Sequence, residues 1–153
     1  MDDQAARISP LRYGAPSVLQ DVSAVMRWRR TFPGVEVQAR CARDFAKVLL
    51  DGRPVLGDVL VVVTELVANA IRHTASGGPG GAVGVELRCC RRGVAVAVTD
   101  QGGPGEPVAR TVGETLDALA EGGRGLLTVA AYATWWRWCG GVSGRTVTAF
   151  FAE

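Results

Sequence analysis

The stretch Glu65-Leu66-Val67-Ala68-Asn69-Ala70-Ile71-Arg72-His73-Thr74 sets a carboxylate, an amide and the chain's one imidazole into an otherwise apolar run. On a helix advancing about 100° per residue, Glu65, Asn69 and His73 fall within roughly 80° of one another, with Arg72 beside Glu65. They share one face. The opposite face carries Leu56, Val59, Leu60, Val63, Val67, Ala70 and Ile71, a stripe wide enough to lie on a sheet or a second helix. A carboxylate and an amide held side by side over a core read as a site; the plainer alternative is a solvated helix face. Two more segments carry chemistry. Asp100 is followed by Gln101-Gly102-Gly103-Pro104-Gly105, and Gly122-Gly123-Arg124-Gly125 opens a helical run. At a helix N-terminus, unpaired N–H groups and the helix dipole favour anionic phosphate, and glycine permits close approach. Either glycine segment alone is more readily read as a tight turn.

Positioning these groups requires a core, and 153 residues suffice for one domain. Residues 1–24 mix Pro10, Gly14, Pro16 and small polar residues without periodicity, which predicts a flexible leader before a domain at 25–153. Arg27 to Phe32 suits a short strand stopped by Pro33-Gly34. Helical spacing follows over Val35 to Leu50 and again from Pro54 to Thr74. Val83 to Cys89 and Val94 to Thr99 are strand-like and flank Arg91-Arg92-Gly93, hence an antiparallel hairpin. After Asp100 comes a weakly patterned stretch, Glu106 to Glu121, with one short helix expected at Glu114 to Ala120. Leu126 to Ala133 is helical, and Thr134 to Cys139 and Arg145 to Phe151 read as strands. Such an order predicts an α+β two-layer sandwich, with helices on one face of a mainly antiparallel sheet.

Composition narrows the function classes. The formal charge is +2 and the charges are scattered, so nothing argues for direct nucleic-acid binding. Aromatics and basic residues interleave only at Trp135-Trp136-Arg137-Trp138, which reads as a buried strand. Of the seventeen basic residues sixteen are Arg; the single Lys, Lys47, lies in a helical pattern, which excludes a Walker A phosphate loop. Met1-Asp2-Asp3-Gln4 is acidic where a signal peptide is basic, and no apolar run reaches about 18 residues. A soluble cytoplasmic protein with no membrane partner is expected. Cys41, Cys89, Cys90 and Cys139 lack metal-ligand spacing and read as free, mostly buried thiols, with Cys89 and Cys90 on opposite strand faces.

Taken in order, the three polar segments resemble the GHKL superfamily of ATP-binding domains, found in gyrase and histidine kinases. Glu65 to His73 is similar to its N box, Asp100-Gln101-Gly102 to its first glycine box, and Gly123-Arg124-Gly125-Leu126 to its second. The likeness covers about residues 27–152 and is closest to the small single-domain branch of bacterial serine kinases and anti-sigma factors. In that branch the turn Phe32-Pro33-Gly34 and a final strand like Gly144-Arg145-Thr146-Val147 are also familiar.

The resemblance implies a Bergerat-type ATP-binding fold, in which the sheet is mixed, and a set of roles. Asp100 would accept the adenine amino group, with Gly102 and Gly105 shaping its loop, and Thr146 resembles the threonine that supports Asp100 and its water. Asn69 would be the Mg²⁺ ligand and Glu65 the general base. Gly123, Arg124 and Gly125 would hold phosphate, and Arg40 corresponds to a partner-contacting arginine. One departure concerns the first glycine box, where an extra residue precedes Gly105 so that Gly103 competes for its place. The ATP lid would fall at Glu106 to Glu121. Implied ligands are ATP and Mg²⁺; implied partners are a sigma factor or an anti-sigma antagonist phosphorylated on Ser or Thr, with a homodimer expected by resemblance. A non-catalytic nucleotide sensor, whose lid state controls partner binding, stands as the alternative function.

Overall fold

The computed structural model describes residues 26–104 and 124–153. They form five strands and three helices: β1 (Met26–Pro33), α1 (Gln38–Leu49), α2 (Leu56–His73), β2 (Ala82–Cys90), β3 (Gly93–Asp100), α3 (Arg124–Tyr132), β4 (Trp135–Gly141) and β5 (Gly144–Ala152), with one 3-10 turn at Ala75–Gly77. The strands lie in the order β1-β2-β3-β5-β4. All four described pairings are antiparallel, so the parallel pair of a mixed sheet is not among them. The expected hairpin closes at the Cys90–Gly93 pair across Arg91-Arg92.

Alternation along the strands separates two faces. Phe32, Val83, Val85, Leu87, Cys89, Val94, Val96, Val98, Val147, Ala149 and Phe151 point at the helices and join one core cluster. The other face carries a small cluster of Ala95, Trp135 and Phe150, with the Trp135 and Phe150 rings stacked at 5.5 Å. Trp136 and Trp138 belong to the main core, so the tryptophan run is the buried strand its pattern implied. Cys89 and Cys90 fall on opposite faces as expected. Cys41 and Cys139, however, are exposed, because α1 and β4 turn those positions outward.

α2 lies at the centre of the helical layer, packed on α1, α3 and the sheet. Its buried set is shifted from the stripe read from sequence: Val62 and Leu66 join Val59, Val63, Val67, Ala70 and Ile71, while Leu56 and Leu60 are only partly buried. A helix with neighbours on three sides buries more than one stripe. α1 meets it through Ala39, Ala42 and Ala46. Both helices start two or three residues later than their apolar spacing suggested. The chain first makes tight i to i−3 bonds, from Gln38 N–H to the Val35 carbonyl at 2.9 Å and from Leu56 N–H to the Arg53 carbonyl at 3.1 Å. Val35 and Val37 remain exposed as a result.

Candidate functional site

Leu126 and Val129, three residues apart, are both buried and seat α3 against α2. Their burial fixes where the N-terminal turn of α3 lies. It lies on the polar face of α2: a Cβ at Gly125 would stand 2.5 Å from Asn69 Nδ2, 2.9 Å from Asn69 Oδ1 and 3.0 Å from Glu65 Oε2. Any side chain here would have to displace the ends of Asn69 and Glu65. Glu65 and Asn69 are half-buried at the seam between the helices. His73, one turn on, is exposed, and Arg72 turns away to an ion pair with Glu36 at 3.5 Å.

The second half of the site is built where α2 ends. Thr74 Oγ1 donates to the Ala70 carbonyl at 2.6 Å and accepts from Ser76 N–H at 3.1 Å, turning the chain out of the helix. Fully buried Ser76 accepts from Gln101 N–H at 2.9 Å, and Ala75 N–H donates to the Gly102 carbonyl at 2.7 Å. Gln101 Oε1 accepts from Ala82 N–H at 3.1 Å. These bonds tie the loop after β3 to the end of α2. Asp100 is buried, and its Oδ1 accepts from Gly102 N–H at 2.6 Å, an Asx-type turn that orients the carboxylate. Gly102 has φ +80°, and a Cβ there would meet the Val142 carbonyl of the β4–β5 turn at 2.1 Å. The loop thus needs glycine both for its backbone and for its contact with the hairpin.

Glu65 and Asn69 thus lie beside the start of α3, and the loop that follows Asp100 is tied to the end of α2. Gly125 reaches α2 at Asn69, and Gly103 reaches it at His73 and Thr74. The two approaches are four to five residues apart, about 6–8 Å along a helix axis. One end of this line presents a helix N-terminus and the other a buried carboxylate. Such polarity suits a ligand with an anionic end and a hydrogen-bonding end.

Thr146 is not with Asp100. Register pairs Thr99 with Thr146 and Asp100 with Arg145, so Thr146 and Thr99 share the face away from the helices, their hydroxyls 2.8 Å apart. The β5 residue that shares a face with Asp100 is Arg145, buried to 7 % exposure. Period-two alternation from Val147 in the core already places 145 inward and 146 outward, and that was the available signal. Ser76 was also missed, since only the tertiary fold brings it to Gln101. Arg40 is exposed on α1. Gly105, Gly123, the proposed lid and the short helix at Glu114 to Ala120 lie outside the described residues, and of Arg124 only the backbone, the first residue of α3, is described.

A family model described as the histidine kinase-like ATPase domain matches residues 19–150. The chain belongs to that family. Histidine kinase-like ATPase domains of this GHKL type bind ATP, typically with Mg²⁺. No curated protein sequence matches the chain. Among the described residues no group of three or more His, Cys, Asp or Glu side chains is placed to hold a metal. The amide oxygen of Asn69 lies beside the N-terminal turn of α3, 2.9 Å from a Cβ built at Gly125. Among the described residues no helix is long and apolar enough to cross a membrane.

Proposed function

We propose that this histidine kinase-like ATPase domain is a cytoplasmic ATP-binding regulatory protein, working as an anti-sigma factor with serine/threonine kinase activity toward an anti-sigma antagonist. The observation that carries the reading is the close approach of Gly125, at the N-terminus of α3, to Asn69 and Glu65. Asp100 accepts the adenine amino group, a hydrogen bond to a charged group worth on the order of 1.5–3 kcal/mol. A carboxylate offers only acceptors, so it selects adenine over guanine, whose O6 it would repel. Backbone N–H groups opening α3 hold phosphate. Asn69 is the ligand for Mg²⁺, which when bound neutralises phosphate charge. Glu65, one turn before Asn69 on the same face, accepts the proton of the attacking hydroxyl. A sigma factor or its antagonist is the expected partner, with Arg40 on the exposed face of α1 as a contact, and a homodimer is the expected state.

Calorimetry of the purified protein with ATP and Mg²⁺ tests the nucleotide reading, which fails if no binding is found. Transfer of labelled phosphate to an antagonist, lost in Glu65→Ala while ATP binding persists, identifies the kinase. Binding without transfer to any candidate identifies instead the sensor, in which the nucleotide state alone changes partner affinity.

A further inference from the structure

The geometry points to Arg145 as the residue that positions the base end of the nucleotide site, by holding the Asp100–Gly103 loop against the β4–β5 hairpin. This rests on the ATP-binding reading above. Arg145 faces Asp100 across the β3–β5 ladder and is almost wholly buried. Burying a guanidinium is costly unless its donors are met. Here Nη2 donates to the Gly103 carbonyl and Nε to the Gly141 carbonyl at 3.3 Å. One planar fork thus bridges the loop after β3 and the hairpin that leads into β5.

Around the fork the loop is closely packed. Gly103 sits between α2 and Arg145, its Cβ position 3.3 Å from the His73 carbonyl, 3.4 Å from Thr74 Cα and 3.7 Å from Arg145 Nη2. Gly102 abuts the Val142 carbonyl, and a Cβ on Gly144 would stand 3.3 Å from the Asp100 carbonyl. Three segments distant in sequence meet around one cation: the end of α2, the Asp100 loop and the hairpin turn. Without the fork, the Gly103 and Gly141 carbonyls lose a charged donor. The loop that orients Asp100 through Gly102 N–H then loosens. Arg145 is accordingly a positioning residue and acts on the base, not on the phosphates.

The test is calorimetry of adenosine and of ATP with Mg²⁺ on the full chain and on Arg145→Met, Arg145→Lys and Thr146→Val, with amide hydrogen exchange of the nucleotide-free proteins. For Arg145→Met we expect about tenfold weaker binding of both ligands, the size of one lost charge-assisted hydrogen bond. Exchange at residues 101–103 should be faster, and Lys, which keeps one donor, should restore part of both effects. In an Asp100→Asn background Arg145→Met should cost no further affinity for adenosine, because both act through one contact. Affinity unchanged in Arg145→Met, a loss for ATP but not adenosine, or an equal loss in Thr146→Val would each overturn the assignment. If Arg145→Met does not fold, Arg145→Lys against the unsubstituted protein makes the same comparison. Failure of the unsubstituted protein to bind either ligand removes the nucleotide reading itself, whereas binding undiminished by the Arg145 variants removes only the role of Arg145.

Discussion

Gly125 packs its bare Cα against the polar face of α2. The atoms a Cβ would strike there are the far ends of Asn69 and Glu65, which can swing aside, not backbone. Gly125→Ala should therefore fold, and its thermal midpoint should stay within a few degrees, since alanine is favoured over glycine in a helix by about 1 kcal/mol. Displacing Asn69 and Glu65 should nevertheless weaken Mg²⁺-dependent ATP binding by about tenfold or more, the scale of one lost charge-assisted contact. Calorimetry beside a thermal melt separates the two effects. Gly102 differs in kind. Its clash is with the Val142 backbone and its φ is positive, so a side chain there would strain the fold as well as the site.

Among the described strands, β1 lies at one edge of the sheet. Its sequence alternates Trp28, Arg30 and Phe32 toward α1 with Arg27, Arg29 and Thr31 toward the open face, and it ends at Pro33. Charged residues and a proline discourage further pairing at an edge. Arg30 lies over Phe32 at 5.1 Å, roofing the aromatic pair Phe32–Phe45. On the open face Glu86 of β2 is buried to 5 % exposure and receives Arg88, Arg29 and, at 3.6 Å, Arg27. Burial pushes its carboxyl up, but the bonds from Arg88 and Arg29 outweigh this and hold it below the ordinary glutamate value. A carboxyl depressed on folding stabilises the native state above its unfolded pKa, and that contribution is lost as pH falls through the folded one. Glu86→Gln should cost on the order of 1 kcal/mol at neutral pH, modest because Arg27 and Arg29 are largely exposed. The difference should shrink as pH drops below the ordinary value of about 4.3 and vanish below the folded pKa. Urea titrations of both proteins at several pH values measure it.

For the whole molecule, the proposed site lies where layers meet, so a ligand bound there would be linked to the fold. Asn69 belongs to α2, Gly125 to α3, and Asp100 to the sheet. A nucleotide that bridges them binds the native state alone and should raise stability by about 2.7 kcal/mol at a hundredfold excess over Kd. For a domain of this size that corresponds to a thermal shift of roughly 5–10 °C. The shift should be far smaller for Asp100→Asn, whose amide cannot offer two acceptors. Differential scanning fluorimetry with ATP, with and without Mg²⁺, reads it directly.

Much of this arrangement follows from local pattern. The period of apolar residues marks α2 and the strands, glycine and proline mark their ends, and the order of Glu65, Asn69, Asp100 and Gly125 marks the family. Those features are legible because a helix face, a strand face and a tight turn each depend on residues close in sequence. What only the tertiary structure decided depends on distant ones. Ser76 bonded to Gln101, the extra burial of Val62 and Leu66, and Glu86 held among three arginines all arise between elements. The clearest case is β5, where resemblance pointed to Thr146 and the β3–β5 register sets Arg145 beside Asp100 instead. A one-residue change in strand position exchanges the two faces of a sheet, and pairing with β3, under the burial of Val147, Ala149 and Phe151, decides which face is inward.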